Sequence, residues 1–307
     1  VVPPDGPSLG TVAFQVRIGF RTSPQNTDWA SLEAAWVEAG QHEVFDSGWL
    51  NDHLTEPGLE HGGPSFESVT ALAALAHHVP GKRVGQTVLA ATFRHPSVLA
   101  KSAVTLDHVT GGRFILCLGA GWHVGEHEAF GIELPPLRER FDRYESAVRV
   151  IKALFSEAAT AAPGVTLDAP PWRLSGATME PAPIRPGGPP LWLGGQGPRG
   201  LRIAARYADG WNFASNLDGS SSGFADRRDV LLRACEAIDR DPGELTLSAQ
   251  IIIPGDPRAR RAATERAIAY GREGAEELLL TTPAREGADG IRRLATEVAA
   301  PIRDALG

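Results

Sequence analysis

Apolar residues in this chain either crowd into short runs or return every three or four positions, and the two patterns read as buried strand and amphipathic helix respectively. Residues 84–92 and 113–118 are short runs rich in Val, Leu, Ile and Thr, and between them Leu99, Ala103, Leu106 and Thr110 recur at helical spacing. Pro96 suits the first turn of that helix, and Gly111-Gly112 ends it. The second run is apolar at nearly every position, as in a parallel strand covered on both faces. The chain is organised around this strand–helix–strand unit, which ends in Gly119-Ala120-Gly121.

The same alternation extends to both sides. Residues 1–10 form a Pro/Gly-rich arm, and 12–20 predict a strand. Thr27 or Asp28 caps a helix with Trp29, Leu32, Trp36 and Ala39 on one face, and 44–51 predict a strand running into Asn51-Asp52-His53. A Gly/Pro-rich loop over 57–64 leads to a helix bearing Val69, Leu72, Ala73 and Ala76. Beyond the central unit, 122–137 reads as a polar loop and 138–155 as the most regular helix, through Phe141, Tyr144, Val148, Ile151 and Phe155. The pattern lapses over 158–190, an irregular insertion or hairpin with extended pieces at 165–167 and 172–174. Strands at 191–193, 210–214, 245–253 and 277–281 follow, each with a helix after it. Residues 1–307 are therefore expected to form a single α/β domain of eight strand–helix units. Parallel strands joined by crossover helices close at that number, so the fold expected is a (β/α)8 TIM barrel with an insertion between the fourth and fifth units.

Composition removes several classes of function. A hydrophobic fraction of 42% and a net charge of −7 describe an ordinary globular protein without the basic face that nucleic acid or an anionic membrane would require. No apolar run reaches spanning length and no signal peptide is visible. Cys117 and Cys235 have no metal or disulfide spacing and read as buried thiols in a reducing cytoplasm.

In a barrel of this kind, active sites are built from the loops at the carboxyl ends of the strands. Four such ends carry signals: Asn51-Asp52-His53, residues 87–92, Gly119-Ala120-Gly121-Trp122, and Gly194-Gly195-Gln196-Gly197-Pro198-Arg199. The last joins a strand to a helix, where free backbone N–H groups and the helix dipole favour a phosphate and Arg199 adds charge; a tight turn binding nothing is the alternative. Gly195, Gly197 and Gly200, with Asp218 further on, fit the dinucleotide pattern only weakly, because Pro198 interrupts it. His123-Val124-Gly125-Glu126-His127 matches an inverted zinc-peptidase motif. Gly121 and Gly125 disfavour the helix a metal would need, so solvated loop histidines and no metal are expected. His42, His61 and His77-His78 read as surface or packing residues. His53, directly after a strand and beside Asp52, either contacts a cofactor and moves a proton near neutral pH or pairs with barrel backbone.

Taken together, residues Phe45 through Leu54, Arg94-His95-Pro96, Leu106-Asp107, Gly112-Arg113-Phe114, Leu118 through Trp122, Phe130-Gly131 and Pro190 through Gly195 resemble the bacterial luciferase-like flavin and deazaflavin oxidoreductases. The chain is most similar to their coenzyme F420-dependent branch. The resemblance spans nearly the whole chain and implies a TIM barrel, usually homodimeric, that binds F420, or alternatively FMN, at the strand ends and acts on a small molecule. It implies that Asp52 and His53 contact the ring, with His53 assisting hydride or proton transfer. Thr87-Val88 falls where F420-using members have a non-proline cis peptide behind the ring. Gly119, Ala120, Gly121 and Trp122 match the loop lining the cofactor, and Gly194, Gly195, Gln196, Gly197 and Pro198 match the loop at its phosphate tail. Two positions depart from the pattern. Val44 stands where many relatives have Gly, and Trp122 stands where the F420-dependent sugar-phosphate dehydrogenases carry a catalytic Glu.

The function expected is hydride transfer between deazaflavin C5 and a small organic substrate. An FMN-dependent monooxygenase fed reduced flavin by a partner reductase is the alternative, and the partner expected is accordingly a flavin reductase or an F420 reductase. A non-catalytic ligand-binding barrel is a third reading, against which the intact Gly194, Gly195 and Gly197 speak, and a zinc hydrolase is a fourth. Trp49, Trp122 and Trp211, near predicted loops, hint at an apolar substrate.

Overall fold

Runs of Val, Ile and Leu that expose no polar face must be covered on both sides, and here they line up as adjacent parallel strands. The computed structural model describes residues 15–56, 63–214 and 221–307. In chain order the elements are β1 (Arg17–Thr22), α1 (Trp29–Gly40), β2 (Ser47–Leu50), α2 (Ser68–Leu75), β3 (Arg83–Gln86), β4 (Leu89–Ala90), α3 (Pro96–Thr110), β5 (Phe114–Gly119), α4 (Val124–Ala129) and α5 (Leu137–Phe155). There follow β6 (Val165–Ala169), β7 (Trp172–Ala177), β8 (Leu191–Gly194), α6 (Pro198–Tyr207), β9 (Gly210–Ala214), α7 (Ser221–Glu236), β10 (Thr246–Ile252), α8 (Pro257–Arg272), β11 (Glu277–Thr282), α9 (Gly287–Leu294) and α10 (Ala300–Leu306).

The sheet runs β3-β2-β1-β11-β10-β9-β8-β5, all parallel, and closes because β5 pairs back onto β3 through Val84–Phe114 and Gly85–Ile115. This is the closed (β/α)8 TIM barrel. Its interior holds Trp49, Ile115, Cys117, Trp192 and Leu279, with Trp49 stacked on Trp192 at 5.3 Å. Alternate residues of β5, namely Phe114, Leu116 and Leu118, point outward and join the larger core under the helices, where Leu99, Ala103, Val148 and Ile151 meet them. At the amino-terminal end of the strands, buried Glu277 takes the Ser47 hydroxyl at 2.5 Å and Arg83 at 2.6 Å, which plugs that rim. The open mouth is at the carboxyl ends.

Several expectations change. The run over 84–92 is two strands, β3 and β4, with a turn at Thr87-Val88 between them. The first strand begins at Arg17 and ends at Thr22, while residues 12–14, the arm over 1–10, residues 57–62 with His61, and Asp218 lie outside the described residues. The loop over 122–137 contains helix α4, capped by the His123 side chain. Within 158–190, β6 and β7 pair as an antiparallel hairpin between α5 and β8. Among the described residues no helix is long and apolar enough to cross a membrane.

Candidate active site

The chain leaves β3 through Thr87-Val88, whose peptide is cis, and sets the Val88 side chain over the barrel interior, packed on the Trp49–Trp192 cluster. Gly119 and Gly194, at the ends of β5 and β8, flank it. A Cβ at residue 119 would stand 2.5 Å from Val88 Cγ2 and one at residue 194 would stand 3.1 Å from Cγ1, so the valine occupies space that only glycine at 119 leaves open. Arg21 on β1 braces the turn from the other side. Its Nε donates to Thr87 Oγ1 at 2.8 Å, Nη2 to the Thr87 carbonyl at 3.0 Å and Nη1 to Thr281 Oγ1 at 3.1 Å. Burial pushes this guanidinium down to about 10, with the Cys117 sulfur acting weakly the other way. Arg21 was not anticipated, although a polar residue at the carboxyl end of an otherwise apolar strand is a signal that would have found it.

Asp52 and His53, neighbours in sequence, serve different partners. The Asp52 carboxylate is buried, and Arg94 forks onto both its oxygens at 2.7 and 2.8 Å while the Ala90 N–H donates at 2.9 Å. Asp52 thereby ties the exit of β2 to β4. Burial disfavours the charge on Arg94, yet Asp52 and then Glu67 hold its pKa above the ordinary arginine value. The His53 ring turns away from Asp52. Its Nδ1 lies 2.9 Å from Glu126 Oε2, and Trp122 meets it edge-on at 5.8 Å. Asn51, at the same strand end, uses its amide N–H groups on Ser23 and Gln25, while its buried Oδ1 finds no donor among the described residues.

Glu126, considered from sequence only as part of a zinc motif, is 1% exposed and accepts from the Leu54 and Thr55 N–H groups as well as His53. Two histidines hold its helix in place. His123 Nδ1 accepts from the Glu126 N–H at 3.1 Å, and His127 places Nδ1 against the His123 carbonyl at 2.7 Å and Nε2 against Thr92 Oγ1 at 2.8 Å. The expectation of solvated loop histidines therefore fails at His127, which is buried. The motif's three side chains are engaged with backbone, His53 and Thr92, and among the described residues no group of three or more His, Cys, Asp or Glu is placed to hold an ion.

The β8 exit is held just as tightly. Gly195 adopts φ +124°, a conformation that favours glycine, and its carbonyl accepts from Trp211 Nε1 at 2.9 Å. Gln196 reaches the Ala214 carbonyl at 2.5 Å, and Tyr144 O–H donates to the Leu118 and Gly194 carbonyls at 2.9 and 3.3 Å, joining β5 to β8. Gly197 caps α6 with no side-chain hydrogen bond, and Pro198 opens the helix. Arg199 does not add charge there, because its guanidinium turns to the Arg138 carbonyl and Asp142.

A cavity of about 280 Å³ adjoins this rim, with Thr92, Arg94, Ala120, Arg140, Arg143 and Trp172 in its walls. Of the anticipated residues Ala120 lines it, whereas Asp52, Val88, Gly121 and Gly195 do not. Two of these are linked to its walls, Asp52 through Arg94 and Gly121 through Arg140, whose Nη1 donates to the Gly121 carbonyl at 3.2 Å. Of the three tryptophans taken as substrate hints, only Trp122 stands at the surface, 61% exposed. Trp49 fills the barrel, and Trp211 packs against Phe224 beneath α7.

Comparison with known proteins decides the family. A model described as luciferase-like monooxygenase matches residues 13–306. The chain belongs to the luciferase-like monooxygenase family. It is 32% identical over 197 residues to an F420-dependent glucose-6-phosphate dehydrogenase of Nakamurella multipartita, covering 64% of this chain and 55% of that one. It is 30% identical over 248 residues to the enzyme of the same name from Beutenbergia cavernae, covering 80% and 70% respectively. The chain thus spans little more than half the length of the first of these luciferase-like relatives. Among solved structures, an F420-dependent secondary alcohol dehydrogenase in complex with an F420-acetone adduct superposes with a TM-score of 0.77 at 18% identity, over 95% of this chain and 99% of that one, a likeness of fold.

Proposed function

We propose that this chain is an oxidoreductase that binds coenzyme F420 at the barrel mouth and serves hydride transfer between the deazaflavin and a small organic substrate. The observation that carries this reading is the convergence of Val88, Gly119 and Gly194 over the barrel interior, with His53 at the neighbouring strand end. Together they offer an apolar floor, backbone close on two sides, and one ionisable ring.

The residues present suit such a group. The unsatisfied Asn51 Oδ1 is an acceptor for a ring N–H, and the uncapped first turn of α6 behind Gly194, Gly195, Gln196, Gly197 and Pro198 suits a phosphate. Bound F420 would supply a two-electron hydride carrier at C5. The protein's part is to position and to handle the proton. Asp52 fixes the mouth by tying β2 to β4, Trp122 bounds the site beside His53, and His53 exchanges a proton with an oxygen of the substrate. Trp122 in place of a catalytic Glu supports a substrate other than a sugar phosphate.

Equilibrium titration followed by tryptophan quenching tests the cofactor. Saturable F420 binding, tighter than FMN binding, is expected. Tight FMN binding without F420 binding would replace this reading with the flavin monooxygenase. Binding of neither would leave a barrel without redox chemistry.

A further inference from the structure

We infer that Glu126 is a positioning residue that fixes the tautomer of His53, leaving Nε2 unprotonated so that it accepts the proton of a substrate hydroxyl. This rests on the proposal that His53 handles a proton at the mouth, and it concerns a residue 73 positions away that no strand-end motif includes.

The hydrogen bonds carry the argument. Oε1 of Glu126 already accepts two backbone N–H groups, from Leu54 and Thr55, and Oε2 faces His53 Nδ1 at 2.9 Å. An ionised carboxylate offers acceptors only, so Nδ1 carries the hydrogen and Nε2 keeps its lone pair. The carboxylate is 1% exposed and, among the described residues, the basic side chains within ion-pair reach are the imidazoles of His53 and, at 4.0 Å, His123. No lysine or arginine of the described residues competes for it. With Oε1 taken by backbone, Oε2 is left for the imidazole, which it orients with Nδ1 as the donor.

The helix carrying Glu126 has little freedom to let it drift. The His123 side chain caps it, His127 anchors it to Thr92 beyond β4, and the Leu54 and Thr55 amides fix the residues that follow His53. The HxxEH segment thus works as a clamp from the β5 exit onto the β2 exit. In the oxidative direction the substrate O–H bond would break with its proton passing to Nε2, and C=O would form as the C–H electron pair left as hydride, for which bound oxidised F420 would supply the acceptor. The reverse direction returns both. The substrate class this favours is an alcohol or its carbonyl partner.

The test has two parts. In wild-type protein without cofactor, ring ¹⁵N chemical shifts of His53 are expected to show a protonated Nδ1 and an unprotonated Nε2. The opposite tautomer would overturn the inference whatever the cofactor proves to be. In Glu126→Gln, the shifts are expected to move toward the other tautomer. F420 affinity and KM should stay within about threefold while kcat falls by about 100-fold, within the range of general acid–base catalysis. Unchanged tautomer, or unchanged kcat with an altered tautomer, would contradict it. Glu126→Asp, which keeps the carboxylate, is expected to recover part of the loss. Failure of F420 to bind wild-type protein would refute the functional proposal instead, and the shift measurement would still decide the tautomer.

Discussion

Val88 shows how a single side chain is specified by residues far from it in sequence. Its position depends on Gly119 having no Cβ, since that atom would meet Val88 Cγ2 at 2.5 Å. Gly119→Ala is therefore expected to destabilise the fold by about 1–3 kcal/mol, the usual cost of overpacking, as measured by urea unfolding. Val88→Ala in the same chain should recover most of that loss, and additive effects of the two substitutions would contradict the contact. Gly119 and Val88 were visible in the sequence, one as a strand-end glycine and the other through the family resemblance. Glu126 was visible only as a member of a metal motif, because its partner His53 is 73 residues away and spacing along one strand exit says nothing about which other exit it faces. Asp52 was paired with His53 by adjacency. The fold separates the two, since a carboxylate that fully engages Arg94 has little left for its neighbour.

At the scale of elements, periodicity located the long helices and the buried strands well, and the short pieces less well. Helix α4 contains Gly125 and has six residues, too few to be stable on its own, so local propensity argued for a loop. Tertiary anchors at His123, Glu126 and His127 override that propensity. The turn dividing β3 from β4 interrupts a run whose composition is strand-like throughout. Helix α2 is capped by Glu67, whose carboxylate accepts the Thr70 N–H at 2.7 Å and also pairs with Arg94. Burial opposes ionisation of Glu67, but the Thr70 and Arg94 hydrogen bonds prevail and lower its pKa below the ordinary 4.5. The unfolded chain therefore binds more protons here as the pH falls below 4.5, so this contribution is present above that value and is lost as pH drops through the lowered pKa. Glu67→Gln is expected to flatten the fall in urea midpoint as the pH drops below 4.5, and a slope identical to wild type there would contradict it.

For the molecule as a whole, the count of strand–helix alternations was enough to predict closure, because parallel strands with right-handed crossovers leave few other arrangements. The alternation does not reveal which way an aromatic near a strand end points. Trp49 and Trp211 were taken for rim residues and are core, one inside the barrel and one outside it. Nor does it show that Arg94, after β4, gathers with Arg140 and Arg143 of α5 beside the mouth. What the closed barrel does supply is a rim on which four strand exits are bonded to one another: Asp52 to the β4 backbone, Glu126 to His53, and Tyr144 to both β5 and β8.

The most direct measurement of the central claim is a crystal structure of this protein with F420 bound. The account predicts the deazaflavin against Val88, between Gly119 and Gly194, with His53 at its edge and the phosphate at the start of α6. A deazaflavin bound away from Val88, with His53 out of reach of its ring, would contradict it.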